Sequence, residues 1–308
     1  MPAVVTVAVP VRDGGPLLDE VLDAVRAQRV DAEVELLVAD SGSRDGSADV
    51  ARRHGAEVVE IAPHQFSHGR TRNDLVKRAS GTHVAFLTQD ATPADDRWLQ
   101  HLLDGFAEGE DVALTYGPYR PRPDAPVPVR RELEEWFGSM APNGRAATVR
   151  LEHAERTAAT RLIPQARLFF SDANGCIARA AWDEVPFRDV AYAEDRLLAA
   201  DLLAAGYAKV YVPDAAVLHS HHYPPLQHLR RSFDEWRALH EISGYVEPFS
   251  PTAVAEAVRG DLVGHRDLRT AAISITHHTT RAIGAYLGSR AERLPDRARR
   301  ALSLEGRS

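Results

Sequence analysis

The chain has 308 residues, 44% of them hydrophobic and 26% charged, with a formal net charge of -7 and one cysteine, Cys176. Those values suit one large α/β domain with an appendage or two small domains, and they exclude an internal disulfide framework and the basic face of a general nucleic-acid binder. No run has the apolar length of a spanning helix, and Met1 leads into a strand-like segment without a signal-peptide pattern, so a cytoplasmic location is expected.

The first part alternates strand and helix. Val4 to Val11 is apolar and β-branched, and Gly14-Gly15-Pro16 breaks it before Leu17, Leu18, Val21, Leu22 and Val25 recur at helical spacing. Glu33 to Ala39 predicts a second strand running into Asp40-Ser41-Gly42-Ser43, Ser47 to His54 a short helix, and Ala56 to Ile61 a third strand. Gly69 to Ser80 reads as helix, His83 to Thr88 as a buried strand, Asp96 to Phe106 as helix and Val112 to Tyr116 as strand. Repeated units of this kind predict an α/β fold, a mostly parallel sheet with helices on both faces. Ligand chemistry is then expected beyond Pro10, Asp40, Pro63 and Thr88, at strand C-termini.

After Tyr116 the pattern loosens. Pro118 to Pro128 is too proline-rich for a long helix, Glu132 to Met140 suits one, and Pro142 to Leu162 is polar and without clear assignment. Leu168 to Ala178 reads as a strand, Arg196 to Ala205 as a helix ending at Gly206, and Lys209 to Val212 as a strand leading through Val217 to His219. From Pro224 the pattern is helical, and arginines at 281, 290, 293, 297, 299, 300 and 307 crowd its end. Arg293, Arg297 and Arg300 are expected to share a helix face. A solvated helix or an oligomer contact accounts for them, and peripheral contact with anionic lipid is the alternative.

Two acidic points carry the chemistry. Asp90 closes a strand, where open α/β sheets bind ligands, and Glu194-Asp195 opens a helix. One carboxylate can hold a metal on a diphosphate while the other takes a proton from an attacking hydroxyl, which points to group transfer from a nucleotide-activated donor. The plainer reading of Glu194 and Asp195 is two acids at the positive end of a helix. Asp40, before a glycine turn, can accept a hydrogen bond from a pyrimidine N3–H or hold its own turn, while Asp45 and Ser47 suit the cap of the next helix. His68, Arg70 and Arg72 at a helix start suit a diphosphate, although two residues apart the arginines cannot face the same way. Asp172 and Asn174 can grip sugar hydroxyls or make an Asx turn, and Trp182 is a stacking platform or a packed aromatic.

The order Pro10-Val11-Arg12-Asp13, Asp40-Ser41-Gly42-Ser43-Arg44-Asp45-Gly46-Ser47, Gln89-Asp90-Ala91 and Glu194-Asp195 resembles family 2 inverting glycosyltransferases of GT-A fold. Phe66-Ser67-His68-Gly69-Arg70-Thr71-Arg72-Asn73, followed by Leu87-Thr88-Gln89-Asp90-Ala91, is similar to bacterial rhamnosyltransferases. The resemblance spans roughly residues 1 to 245; where most of the wider family has Asp-x-Asp, this chain has Gln89-Asp90-Ala91 and keeps one carboxylate.

The resemblance implies a donor site of Pro10, Arg12, Asp40, His68, Arg72, Asn73, Gln89 and Asp90, and an acceptor side of Asp172, Asn174, Trp182 and Glu194. It makes Asp195 the general base. Mg²⁺ or Mn²⁺ would rest on Asp90 and a late histidine. Period-two alternation puts His219 and His221 on one face with His222 pointing away; His219 is the first candidate and His221 the second. A catalytic domain over residues 1–223, with a donor half 1–116 and an acceptor half 117–223, precedes a helical region 224–308. The implied donor is dTDP-L-rhamnose and the acceptor a cell-surface glycan or its polyprenyl-linked precursor. A UDP- or GDP-hexose donor is the nearest alternative, and a non-catalytic nucleotide-sugar-binding scaffold the alternative of another class. An NAD oxidoreductase is disfavoured because no Gly-x-Gly-x-x-Gly follows the first strand, and Arg12-Asp13-Gly14-Gly15 is a poor loop for a nucleotidyltransferase.

Overall fold

The computed structural model describes residues 3–157, 165–265 and 267–304. Its first half follows the sequence pattern closely: β1 (Val4–Val11), α1 (Gly15–Arg26), β2 (Glu33–Asp40), α2 (Ser47–Arg53), β3 (Glu57–Glu60), α3 (His68–Arg78), β4 (His83–Leu87), β5 (Thr92–Pro93), α4 (Trp98–Asp104) and β6 (Val112–Tyr116). Period-two alternation gives β1 two working faces. Val5, Val7, Val9 and Val11 pack with Leu18, Val21, Leu22 and Val25 of α1, while Ala8 faces Leu75 and Val76 of α3 on the other side. Each fully buried valine or leucine contributes roughly 1.5–3 kcal/mol, so these two layers hold the sheet between its helices.

The second half adds β7 (Tyr119–Arg120), α5 (Val127–Met140), β8 (Ala147–Val149), α6 (His153–Thr157), α7 (Gln165–Leu168), β9 (Asn174–Ala178), α8 (Arg179–Glu184), α9 (Glu194–Ala205), β10 (Ala208–Tyr211) and β11 (Val217–Leu218). The large sheet has the order β3-β2-β1-β4-β9-β6-β10-β8. β9 runs antiparallel to both neighbours and β8 antiparallel to β10, so the other six strands share one direction. Their C-terminal ends form one edge.

The strand expected over Leu168 to Ala178 is corrected to Asn174–Ala178. The Asn174 amide donates to Ser171 O at 3.2 Å, closing a turn, and Phe170 folds back onto Gly175, where a Cβ would lie 2.5 Å from its ring. Only glycine leaves room for that ring. Part of the polar stretch up to Leu162 lies outside the described residues, as does Arg307.

A small second sheet, β5-β11-β7, lies over the edge. Beyond it come α10 (Pro225–Ser243), α11 (Pro251–Asp261), α12 (Leu268–Gly288) and α13 (Asp296–Leu302). α10 and α12 approach closely because Gly284 and Gly288 lack side chains: a Cβ there would meet Leu229 O at 2.4 Å and Phe233 O at 2.3 Å. The shared arginine face is corrected: Arg293 lies in a separate turn, Ala291–Arg293, while Arg297 and Arg300 are exposed on α13. Among the described residues no helix is long and apolar enough to cross a membrane.

Candidate active site

The loops after β1, β2 and β4 are knitted together at the sheet edge. The Arg12 amide donates to Gln89 Oε1 at 2.7 Å, and Gln89 Nε2 donates back to Arg12 O at 3.1 Å. The Gln89 side chain thus pins the loop carrying Pro10 and Arg12. Asp45 and Ser47 do more than serve the start of α2: they accept the amides of Gly15 and Gly14, each at 2.9 Å, and so join it to α1. Asp40 makes its turn with one oxygen, Oδ2 accepting from Gly42 and Ser43 at 3.2 Å. The other, Oδ1, is buried and makes no hydrogen bond among the described residues. It borders a pocket of about 370 Å³ lined by Gly42, Ser43, Glu60, Ile61 and Pro63. A buried acceptor left open beside a pocket is a place for a donor from outside.

The small sheet builds a second corner. Leu218 of β11 pairs with Thr92 of β5, and the His219 amide donates to Arg120 O at 3.0 Å, which brings the chain after β11 onto Asp90. His219 Nδ1 lies 3.5 Å from Asp90 Oδ1 and His221 Nε2 3.5 Å from Oδ2. The three ligating atoms fall within 4.8 Å of one another. His219 is buried and its Nδ1 makes no hydrogen bond among the described residues, whereas His222 is exposed. Both named histidines therefore reach Asp90. Burial opposes charge on Asp90, but the two imidazoles and the Thr88 hydroxyl draw its carboxyl below the usual range. Burial likewise pushes His219 down, and His221 to about 4. One carboxylate and two neutral imidazoles are a donor set that a divalent ion can use.

The third group is acidic. α9 begins on Ala193 at φ 62°, a left-handed conformation that costs a non-glycine residue roughly 1–2 kcal/mol. It delivers Glu194 and Asp195 toward Arg72 of α3. Arg72 Nε lies 2.8 Å from Asp172 Oδ2, and Nη1 donates to Glu194 Oε1 at 2.8 Å. All three side chains are buried. The Asp172 amide reaches Asp195 Oδ2 at 3.4 Å. Burial raises the carboxyl of Asp195, and neighbouring Glu194 raises it further; Asp172 is raised well above the ordinary range, again by burial first. His68 Nδ1 stands 4.0 Å from Glu194 at the rim of this group, and Arg70 turns away to Asp189 at 2.6 Å.

Other predicted residues frame the cleft. Asn73 Oδ1 accepts from Trp182 Nε1 at 2.8 Å and from the Phe187 amide at 3.0 Å, while its Nδ2 donates to Phe187 O at 2.8 Å. Trp182 is buried among core aromatics. Asn174 Oδ1 accepts from Trp98 Nε1 at 2.7 Å, and its Nδ2 donates to Ala215 O at 2.8 Å and Pro118 O at 3.2 Å. Both polar ends of these asparagines are engaged within the fold.

Two residues escaped the sequence reading. Tyr119 packs its ring on His219, centroids 5.0 Å apart, and its hydroxyl donates to Ser171, so it joins the histidine corner to the acidic one. Arg122 Nη2 donates to Asp90 O at 3.0 Å and Thr92 Oγ1 at 2.8 Å. Both lie in the proline-rich stretch, where no periodicity marked them.

An open acceptor at a strand end, a carboxylate with two histidines, and a raised aspartate are groups that transfer from an activated donor could use. The sequence profile of glycosyl transferase family 2 matches residues 6–177, and the chain belongs to that family; it is a glycosyltransferase. It is 29% identical over 249 residues to the O-antigen chain rhamnosyltransferase RfbN of Salmonella typhimurium, covering 79% of this chain and 74% of that one. Among solved structures it is similar to the mannosyltransferase PcManGT from Pyrobaculum calidifontis in complex with GDP-Man and Mn²⁺, with TM-score 0.60, 20% identity, and coverage of 94% of this chain and 86% of that one. It is also similar to S. aureus TarS 1-349 in complex with UDP-GlcNAc, with TM-score 0.55, 15% identity, and coverage of 94% and 91%. These structures share the GT-A fold with the chain.

Proposed function

We propose that the protein is an inverting glycosyltransferase that moves L-rhamnose from dTDP-L-rhamnose to a hydroxyl of a cell-surface glycan or its lipid-linked precursor. The observation that carries the reading is the meeting of two histidines on Asp90, joined through Tyr119 and Ser171 to the turn whose Asp172 amide reaches Asp195. The choice of rhamnose is supported by the 29% identity to RfbN.

In this reading Asp40 Oδ1 accepts N3–H of the pyrimidine, and Gln89 holds the β1 loop as the wall of the donor site. Asp90, His219 and His221 would hold the divalent ion; their mixed oxygen and nitrogen set suits Mn²⁺ better than Mg²⁺. When bound, such an ion offsets charge on a leaving diphosphate. Asp195 accepts the acceptor hydroxyl's proton as that oxygen bonds to the anomeric carbon from the face opposite the diphosphate. The bond to phosphate oxygen breaks, its electron pair leaves with the nucleotide, and a β-linked donor gives an α-linked product. Arg72 is assigned as a positioning residue that fixes Asp172 and Glu194 around the base. Asn73, Asn174 and Trp182 are assigned to the frame.

Hydrolysis of a panel of dTDP-, UDP- and GDP-sugars with Mn²⁺ or Mg²⁺ tests the reading, with donor binding measured alongside. Metal-dependent release of dTDP from dTDP-rhamnose, lost in Asp90→Ala, is expected. Preference for a UDP- or GDP-sugar would replace the donor; absence of binding across the panel would overturn the whole assignment.

A further inference from the structure

A second group of histidines and carboxylates lies away from the cleft, where α12 meets α5. Glu132 Oε2 is 2.9 Å from His277 Nε2, and its Oε1 is 3.6 Å from His278 Nδ1. The three ligating atoms fall within 4.8 Å of one another. A tetrahedral Zn²⁺ with bonds of about 2.0–2.1 Å sets its ligand atoms roughly 3.4 Å apart, so small side-chain rotations suffice to close a shell.

The surroundings match a metal-bound imidazole as well. His278 Nε2 lies 2.7 Å from Asp261 Oδ2, and Asp261, 1% exposed, also accepts Ser274 Oγ at 2.6 Å and faces Arg131 Nε at 2.8 Å. A carboxylate on Nε2 fixes the proton there and leaves the Nδ1 lone pair toward Glu132, as outer carboxylates do for ligating histidines. The His277 ring is held by stacking on His228 at 4.3 Å, and His228 Nδ1 is anchored on Thr280 Oγ1 at 3.0 Å. The Arg281 guanidinium, 3.7 Å from Glu132 Oε1 and half-exposed, is the charge that an incoming cation would displace toward solvent.

We propose that Glu132, His277 and His278 form a structural site for a divalent transition ion of the Zn²⁺ class, separate from the corner at Asp90. Two imidazoles and a carboxylate suit such ions, with a fourth position left for water. The ion clamps the C-terminal helices onto α5. Through Phe137 of that helix, whose ring lies 4.9 Å from Tyr119, the clamp steadies the wall behind the active site.

The test uses the full chain carrying Asp90→Ala and His221→Ala, which removes two of the three groups at the competing corner, titrated with Zn²⁺ and Co²⁺. One ion per chain, a tetrahedral Co²⁺ absorption band and a rise in melting temperature are expected. Glu132→Gln and His277→Gln should each weaken binding by about tenfold or more, with circular dichroism and metal-free melting showing that they fold; His278→Gln replaces either one that does not. No saturable binding, or binding indifferent to these substitutions, would overturn the proposal and leave the cluster as an ion-pair network with Arg281 as its counter-charge.

Discussion

Asp90 and Asp195 are both half-buried and lie on either side of Tyr119, yet their carboxyls move in opposite directions. Burial alone would raise both. At Asp90 two imidazoles outweigh it; at Asp195 Glu194 adds to it, and Arg196 and Arg72 offset only part. Neighbours, not depth, set the two directions. A carboxylate held charged can keep a cation, while one with a raised affinity for protons can serve as a base near neutral pH.

The Asp195→Asn substitution keeps the shape and removes the proposed proton acceptor. Transfer is expected to fall by about 10²–10⁴-fold with donor binding unchanged, measured by kinetics and calorimetry; a loss within about tenfold would place the base elsewhere. Arg72→Ala should cost about 3–5 kcal/mol in urea unfolding, because it leaves Asp172 and Glu194 buried without their counter-charge. Arg72→Lys should restore part of that stability. Arg72 lowers the Asp195 carboxyl, so weakening its field should move the acid limb of kcat/KM to higher pH; an unmoved limb would sever Arg72 from the base.

Lys209 extends the comparison to a buried cation. Burial lowers it to about 7, its Nζ donating to Phe169 O just ahead of the Ser171–Asp172 turn. Between about pH 7 and its unfolded value of about 10.4 the unfolded chain holds the extra proton, so raising pH favours the folded state. The protein should gain roughly 2 kcal/mol from pH 7 to 9 relative to Lys209→Met. Parallel pH profiles for the two proteins would show that the ammonium is not depressed. The smallest effect concerns the histidines. Because they are depressed, protons should compete with Mn²⁺ only in acid, so Mn²⁺ affinity measured by calorimetry should hold as pH falls through the usual imidazole range. Asp90→Asn should weaken Mn²⁺ about tenfold or more; Mn²⁺ affinity already falling at pH 6.5 would argue for ordinary imidazoles.

By itself the sequence determined the alternating units up to Tyr116, the strand-end aspartates and the family, because hydrophobic period, glycine turns and local motif order are properties of neighbouring residues. It did not contain the antiparallel setting of β9 between β4 and β6, nor the choice between His219 and His221, since a sheet pairing across distant segments puts both at Asp90. Nor could it show that Asn73, Asn174 and Trp182 spend their polar groups on the frame, or that Arg72 meets Asp172 and Glu194 rather than open cleft. Those contacts join residues 41 to 122 positions apart, fixed by burial and charge pairing that only the packed chain creates.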